Sequence, residues 1–278
     1  MNNNKFNNFV KWCKKNNNIR TVILTSSRAD LNSNPDVLSD YDIELYVNNI
    51  NDFIKDDEWI KKFGQILVKW PIIPRSTILK NFITRLVQFE DGTRFDLQIT
   101  KNKPKYHKNF DTGYKILIDK DSLTSNFNLP NYKSLYIKKP TKELFDEKIN
   151  DFFWDILYVA KNLWRNELYY AKFMLDNIIR FNILQIFIEW YIGLNNDWNV
   201  STNKYGRFFK KYLSKEDWEK IEKTFVGSSI SENWDVIYKT IDLVNYLCRK
   251  LAENLGFSYP INLENKIIKY INKIKKLR

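Results

Sequence analysis

Three aspartates and one serine turn carry the chemistry open to this chain. Asp40 and Asp42 stand two residues apart at the head of DYDIELYV (40–47), a stretch with strand character. Side chains on a strand alternate between faces. Asp40, Asp42 and Glu44 therefore point one way, while Tyr41, Ile43, Leu45 and Val47 point the other, into a core. Upstream, TVILT (21–25) reads as another strand running into a polar turn of Ser26, Ser27 and Arg28. A loop broken by Pro35 then returns the chain to the aspartates. Mg2+ favours hard oxygen ligands, commonly one or two carboxylates plus substrate phosphates. A hydroxyl and the backbone N–H groups of a tight turn hold phosphate oxygens. The pattern suits a metal–phosphate site. The plainer alternative is a surface turn, since an Asp-x-Asp pair arises easily among 33 acidic residues.

Asp96 is the third carboxylate. It shares a strand face with Arg94 and Gln98, opposite Phe95, Leu97 and Ile99. One reading is an ordinary ion pair with Arg94, worth little at a surface. The other is a metal ligand, or a base for an attacking hydroxyl. Clustered carboxylates repel one another and raise some of their pKa values, a conflict that a bound cation removes.

The elements that must position these groups follow from periodicity. Phe6, Phe9, Val10 and Cys13 fall at helical spacing within 4–14. The segment Asp52 to Trp70 reads as a second amphipathic helix, with Trp59, Phe63, Ile66 and Leu67 as its stripe and Pro71 as its stop. FITRLVQFEDGTRFDLQIT (82–100) is a hairpin, with Asp91-Gly92 expected as a two-residue turn. Residues 113–119 add a short strand. From Pro140 the period becomes helical. Thr141 caps a helix with Leu144, Phe145, Ile149, Phe152, Phe153, Ile156 and Leu157 inside, and further helices are expected at about 167–193, 204–224, 232–255 and 262–276. The fold class is α+β: a mixed sheet with flanking helices in residues 1–135, then an all-helical part in 136–278.

Composition bounds the rest. The 278 residues are 44% hydrophobic and 16% aromatic, enough for packed cores. The formal charge of +12 favours anionic ligands such as nucleotides. The lysines are scattered, however, and the dense run at 269–278 reads as a solvated tail, so nucleic acid is not the expected partner. Cys13 and Cys248 read as buried free thiols. His107, the single histidine, sits in a polar loop and supports neither histidine catalysis nor a zinc site. The start of the chain lacks a signal-peptide core, and the longest apolar run, 183–194, is too short for a bilayer and contains Glu189. The expectation is a cytoplasmic protein without membrane contact, a monomer or weak homodimer.

The arrangement Ser27-Arg28, Asp40-Tyr41-Asp42 and Arg94-Phe95-Asp96-Leu97 resembles the nucleotidyltransferase superfamily that includes DNA polymerase beta. More closely, the chain resembles the aminoglycoside 6-adenylyltransferases, also called streptomycin adenylyltransferases. The likeness runs in order through DYDIELYV (40–47), FEDGTRFDL (89–97), LIDKDS (117–122), YIKKPT (136–141), AKNLWRNELYYA (160–171) and KYGRFFKKYL (204–213). It implies a catalytic nucleotidyltransferase domain at 1–135 and a helical substrate-binding domain at 136–278. The implied reaction is Mg2+-dependent transfer of AMP from ATP to the 6-hydroxyl of streptomycin, releasing pyrophosphate. By the same resemblance Asp40, Asp42 and Asp96 hold the metal, and Asp96 also accepts the hydroxyl proton. The resemblance also puts Ser27 on the phosphate oxygens and Glu167 toward a cationic acceptor; beside them Ser26, Arg28 and Lys204 or Arg207 are candidates for the nucleotide, and Glu44, which lies outside the family pattern, is a candidate for the acceptor.

Two departures stand out. The family turn normally begins Gly-Ser, whereas this chain has Ser26-Ser27; a Cβ costs about 1–2 kcal/mol if φ is positive there. Glu44 adds a carboxylate where an uncharged residue is expected. A +12 chain also steers a polycationic drug poorly, although salt screens the overall field beyond about 8–10 Å. The alternatives are AMP transfer to another hydroxyl, on a lincosamide or a protein side chain, and a catalytically silent nucleotide or nucleic-acid binding protein.

Overall fold

The period-two segments at 41–47 and 94–100 become neighbouring strands, and one helix decides which of their faces is buried. A computed structural model of the chain describes residues 3–31, 33–73 and 81–277. It comprises two compact units, Met1–Ser134 and Leu135–Arg278.

The first unit opens with helix α1 (Asn3–Lys15) and continues through strands β1 (Ile19–Thr25), β2 (Tyr41–Val47), β3 (Ile66–Trp70), β4 (Phe82–Phe89), β5 (Arg94–Thr100) and β6 (Tyr114–Asp119). These form one sheet in the order β3-β4-β5-β2-β1-β6. Strands β2 and β5 pair in parallel, and the other described pairs are antiparallel. Parallel neighbours need a crossover connection. Here the chain leaves β2, runs out to β3 at the edge, and steps back through β4.

Helix α1 covers one face of the sheet. Phe6 stacks on Tyr41 at 4.3 Å between ring centroids, and Phe9 lies 5.0 Å from Phe95. Ile43, Leu45, Leu97 and Ile99 join that core. Each buried large apolar side chain contributes about 1.5–3 kcal/mol, so a one-residue slip that turned this set outward is strongly disfavoured. The register is thereby locked, and Asp42, Glu44, Asp96 and Gln98 are held on the opposite face.

Two expectations for the elements of this unit are corrected. Asp52 to Trp70 is not one helix: a 3-10 turn (Ile50–Phe53) and the short helix α2 (Glu58–Lys61) precede β3. Gly64, at φ 148°, breaks any helical continuation, and the β-rich run ILVKW completes the sheet edge. The β4–β5 turn is a three-residue loop rather than a two-residue one. Gly92 N–H donates to the Phe89 carbonyl at 3.0 Å, and Phe89 N–H to the Thr93 carbonyl at 2.8 Å. Gly92 has φ 85° while Asp91 keeps a negative φ, the pattern of a type I turn closed by a glycine bulge.

The helical unit contains α3 (Lys142–Trp164), α4 (Leu168–Lys172), a π-helical stretch (Phe173–Leu184), α5 (Gln185–Leu194), α6 (Phe209–Tyr212), α7 (Lys215–Glu222), α8 (Ile230–Leu255) and α9 (Ile261–Lys275). Thr141 caps α3, its Oγ1 accepting from Leu144 N–H at 3.2 Å. Leu144 itself is exposed, because the cap places it on the outer side of the first turn; Phe145, Ile149, Phe152, Phe153 and Ile156 form the buried stripe. The single helix expected at 204–224 is broken. Asn203, Tyr205 and Gly206 all take positive φ, and Ser214 starts α7 afresh by accepting from Asp217 N–H at 3.0 Å.

Candidate active site

The site grows from the β2–β5 ladder. Asp42 pairs in register with Asp96, and Glu44 with Gln98 one step further along the same face. On the other side of β2, Asp42 pairs with Thr25, the last residue of β1. The turn that follows Thr25 therefore starts beside the acidic pair.

That turn is a short 3-10 segment, Ser26–Arg28. Ser26 is exposed and its φ is 58°, the left-handed region. Its carbonyl accepts from Ala29 N–H and Asp30 N–H, both at 2.9 Å, which closes the turn. A residue with a Cβ is strained at such a φ. Ser27 is half-buried beside it.

Arg28 is held by main-chain carbonyls of the segment that leads to Asp40. Its Nε donates to the Ser39 and Asp40 carbonyls at 3.2 and 3.1 Å, and its Nη2 to the Asp36 and Ser39 carbonyls at 3.2 and 2.7 Å. The guanidinium also lies 4.0 Å from the centre of the Tyr41 ring. Arg28 thus sets the path of residues 36–40 and, through it, the position of Asp40.

Arg94 stands among the three aspartates. Its Nε donates to Asp96 Oδ1 at 2.7 Å and its Nη2 to Asp96 Oδ2 at 2.9 Å, a two-pronged pair, while Nε approaches Asp40 Oδ2 to 3.6 Å. The hydrogen bond that Arg94 donates to Asp96, opposed by partial burial and reinforced by the charges of Asp96, Asp40 and Asp42, raises the Arg94 pKa above its ordinary value. Asp40, Asp42 and Asp96 therefore act on one cation.

Among the described residues, no three His, Cys, Asp or Glu side chains form a ready-made metal cage. The donor chemistry nevertheless suits Mg2+: hard carboxylate oxygens, with no thiolate or imidazole, and a cationic group already held against two of them. The residues fit the ion.

Glu44 extends the acidic row into a cavity of about 1030 Å3 on the same face, also lined by Tyr46, Gln98, Lys103, Lys105 and His107. The Tyr46 hydroxyl donates to Glu44 Oε2 at 2.6 Å, and His107 Nε2 lies 3.4 Å from Oε1. Burial, then the Glu44 charge, raises the Tyr46 pKa. His107, in a polar loop of the sequence, comes to the cavity wall beside Glu44. Tyr46 was missed because it falls in the polar half of the β2 alternation, yet it is buried with Ile23 and Phe110 on that face.

The remaining residues singled out lie in the helical unit. Glu167 is exposed at the start of α4, makes no capping bond through its side chain, and is followed by exposed Tyr169 and Tyr170. Lys204 and Arg207 are exposed on either side of Tyr205 and Gly206.

A streptomycin adenylyltransferase family model matches residues 1–274. The chain is 32% identical to an aminoglycoside 6-adenylyltransferase of Bacillus subtilis over 269 residues, covering 94% of this chain and 93% of that protein. It is 30% identical to one of Campylobacter jejuni, covering 97% and 93% respectively. A crystal structure of an aminoglycoside 6-adenyltransferase from Bacillus subtilis aligns over 99% of this chain and 100% of that one, with a TM-score of 0.49 and 23% identity.

Proposed function

Since this chain belongs to the streptomycin adenylyltransferase family, a family of nucleotidyltransferase enzymes, we propose that it transfers AMP from ATP to a hydroxyl of an aminoglycoside, the streptomycin 6-hydroxyl being the first candidate. The observation that carries this reading is the register pairing of Asp42 with Asp96, with Asp40 drawn to the same guanidinium.

Asp40, Asp42 and Asp96 would hold Mg2+, which when bound neutralises charge on the triphosphate. The turn at Ser26 and Ser27 binds phosphate oxygens next to them. Asp96 accepts the proton of the attacking hydroxyl, and pyrophosphate leaves in line from the α-phosphorus. Such a site works chiefly by positioning the two reactants. Glu44, held by Tyr46 and facing the cavity, gives a carboxylate to which a guanidinium or ammonium of the acceptor can make charge-assisted hydrogen bonds. For the helical unit we propose the contacts that the family likeness implies, Glu167 with the acceptor and Lys204 and Arg207 with the phosphates.

A second acceptor class is favoured by one feature. Lys103 and Lys105 line the same cavity as Glu44, and two ammonium groups suit a polycation poorly. AMP transfer to a less cationic hydroxyl compound, such as a lincosamide, answers that objection.

The test is pyrophosphate release from ATP and Mg2+ across a panel of antibiotic acceptors. Streptomycin-dependent release supports the first acceptor, and release with lincomycin alone supports the second. ATP binding with no turnover on any acceptor overturns the transferase reading. Among the described residues, no helix is long and apolar enough to cross a membrane.

A further inference from the structure

We propose that Arg94 is the resident cation of the carboxylate site, and that it makes metal uptake depend on the nucleotide. The protein takes divalent metal together with ATP because only the triphosphate offers the displaced guanidinium another anion. The inference rests on the metal–nucleotide reading of Asp40, Asp42 and Asp96, and deepens it.

The geometry sets the competition. The Arg94 fork engages both oxygens of Asp96, at 2.7 and 2.9 Å, and its Nε also reaches toward Asp40 at 3.6 Å. A metal ion that used Asp96 and Asp40 would meet this guanidinium in the same space. Two-pronged arginine–carboxylate pairs are among the stronger hydrogen-bonded contacts, and Mg2+ sheds water reluctantly. Free metal must therefore break the pair and lose hydration with no new partner for Arg94. ATP changes the balance, since phosphate oxygens match the same planar fork.

Arg94 is also able to leave. It is the first residue of β5 and its side chain is 39% exposed, whereas that of Asp96 is 16% exposed. The alternation that puts Arg94 and Asp96 on one face keeps the guanidinium close to the site after it swings away. A merely structural ion pair would let Arg94 weaken metal binding by its charge alone, equally with and without nucleotide.

The experiment measures Mn2+ binding to the full chain by calorimetry and by the electron paramagnetic resonance of free Mn2+. It is done with and without an ATP analogue whose α–β bridge is a methylene. Wild type, Arg94→Gln, Arg94→Lys and Asp96→Asn are compared, with circular dichroism as the fold control. The analogue is expected to tighten Mn2+ binding to wild type by about tenfold or more, the scale of one charge-assisted hydrogen bond. Without nucleotide, Arg94→Gln is expected to bind Mn2+ about tenfold tighter than wild type and to lose most of the coupling, with Arg94→Lys between them. Asp96→Asn should weaken Mn2+ binding in both conditions. Folded Arg94→Gln that binds Mn2+ no tighter than wild type without nucleotide, or tighter by the same factor with and without the analogue, overturns the proposal. If that variant does not fold, a wild-type affinity in Arg94→Lys overturns it equally. Absence of Mn2+ binding in all four proteins with the analogue present overturns the metal–nucleotide reading itself. Coupling through Arg94 in a protein that transfers AMP to no acceptor would overturn only the transferase assignment.

Discussion

Asp42 and Asp96 face each other as register partners across the parallel ladder of β2 and β5, about 4.8 Å apart in the direction of the ladder. Two carboxylates that are register partners on one sheet face repel unless a cation lies between or above them. Asp42→Asn keeps the shape and removes the charge. Loss of a group that only orients a metal ligand commonly costs 10–100-fold, so loss of the ligand itself should lower kcat by about 100-fold or more. The thermal midpoint should hardly change, because the core face of β2 is untouched. Retention of full turnover would remove Asp42 from the metal site.

Ser26 carries backbone strain that glycine would release. The left-handed region costs an L-residue about 1–2 kcal/mol, and glycine gives back about 0.5–1 kcal/mol through its more flexible unfolded chain. Ser26→Gly is therefore expected to shift unfolding free energy by between zero and about +1.5 kcal/mol, with activity kept or raised. A large loss of activity in a stable variant would assign the Ser26 side chain a direct part in binding phosphate.

Arg28 is predicted to act through Asp40 and not through the nucleotide. Arg28→Ala removes four contacts to backbone carbonyls and the stacking over Tyr41. Net hydrogen-bond contributions suggest a loss of about 2 kcal/mol in urea unfolding, with kcat reduced about 10–100-fold as Asp40 drifts. Affinity for the ATP analogue should fall much less than kcat. Equal losses in kcat and nucleotide affinity, at unchanged stability, would instead put the guanidinium on the phosphates.

Physical causes separate what could be read in the sequence from what could not. The acidic face was legible because Tyr41, Ile43 and Leu45, with Phe95, Leu97 and Ile99, leave a period-two pattern whenever one side of a sheet is covered. Strand β3 left no such pattern. It is an edge strand with Leu67 65%, Val68 61% and Trp70 54% exposed, so its apolar residues mark neither a strand face nor a helix stripe. The partners of Arg28 are main-chain carbonyls, which have no sequence signature. His107 reaches Glu44 only after β3, β4 and β5 have been laid down between them. The break before α7 was readable: Ser214 and Asp217 form a reciprocal cap, and their spacing announces a new helix start.

The edge also hides the most exacting ion pair of the first unit. Arg85 on β4 is fully buried, ion-paired with Asp57 just before α2, and donates to the Pro71 carbonyl at 2.8 Å. Lys69 meets the same carboxylate. Asp57→Ala would leave a buried guanidinium without its counter-charge, a change that typically costs 3–5 kcal/mol. Urea unfolding of Asp57→Ala should show a loss of about that size, and Arg85→Met a smaller one because it removes the charge itself. Equal losses would mean that packing of the arginine stem, and not charge, dominates at this site.

Glu44 should decide which acceptor is used. It lies one register step from the Asp42–Asp96 pair, close enough to contact an acceptor whose hydroxyl reaches Asp96, and Tyr46 fixes its orientation. Glu44→Gln keeps the size and the hydrogen bonding but removes the charge. With a guanidinium-bearing acceptor, KM should rise about tenfold or more, the scale of a lost charge-assisted hydrogen bond, while kcat at saturation changes little. With an uncharged acceptor the two parameters should hold. Competition by free guanidinium salts gives an independent readout, since it should weaken wild-type turnover more than that of the variant. An unchanged KM for the cationic acceptor would show that Glu44 serves Tyr46 and His107 alone, and that the recognition of positive charge lies elsewhere in the chain.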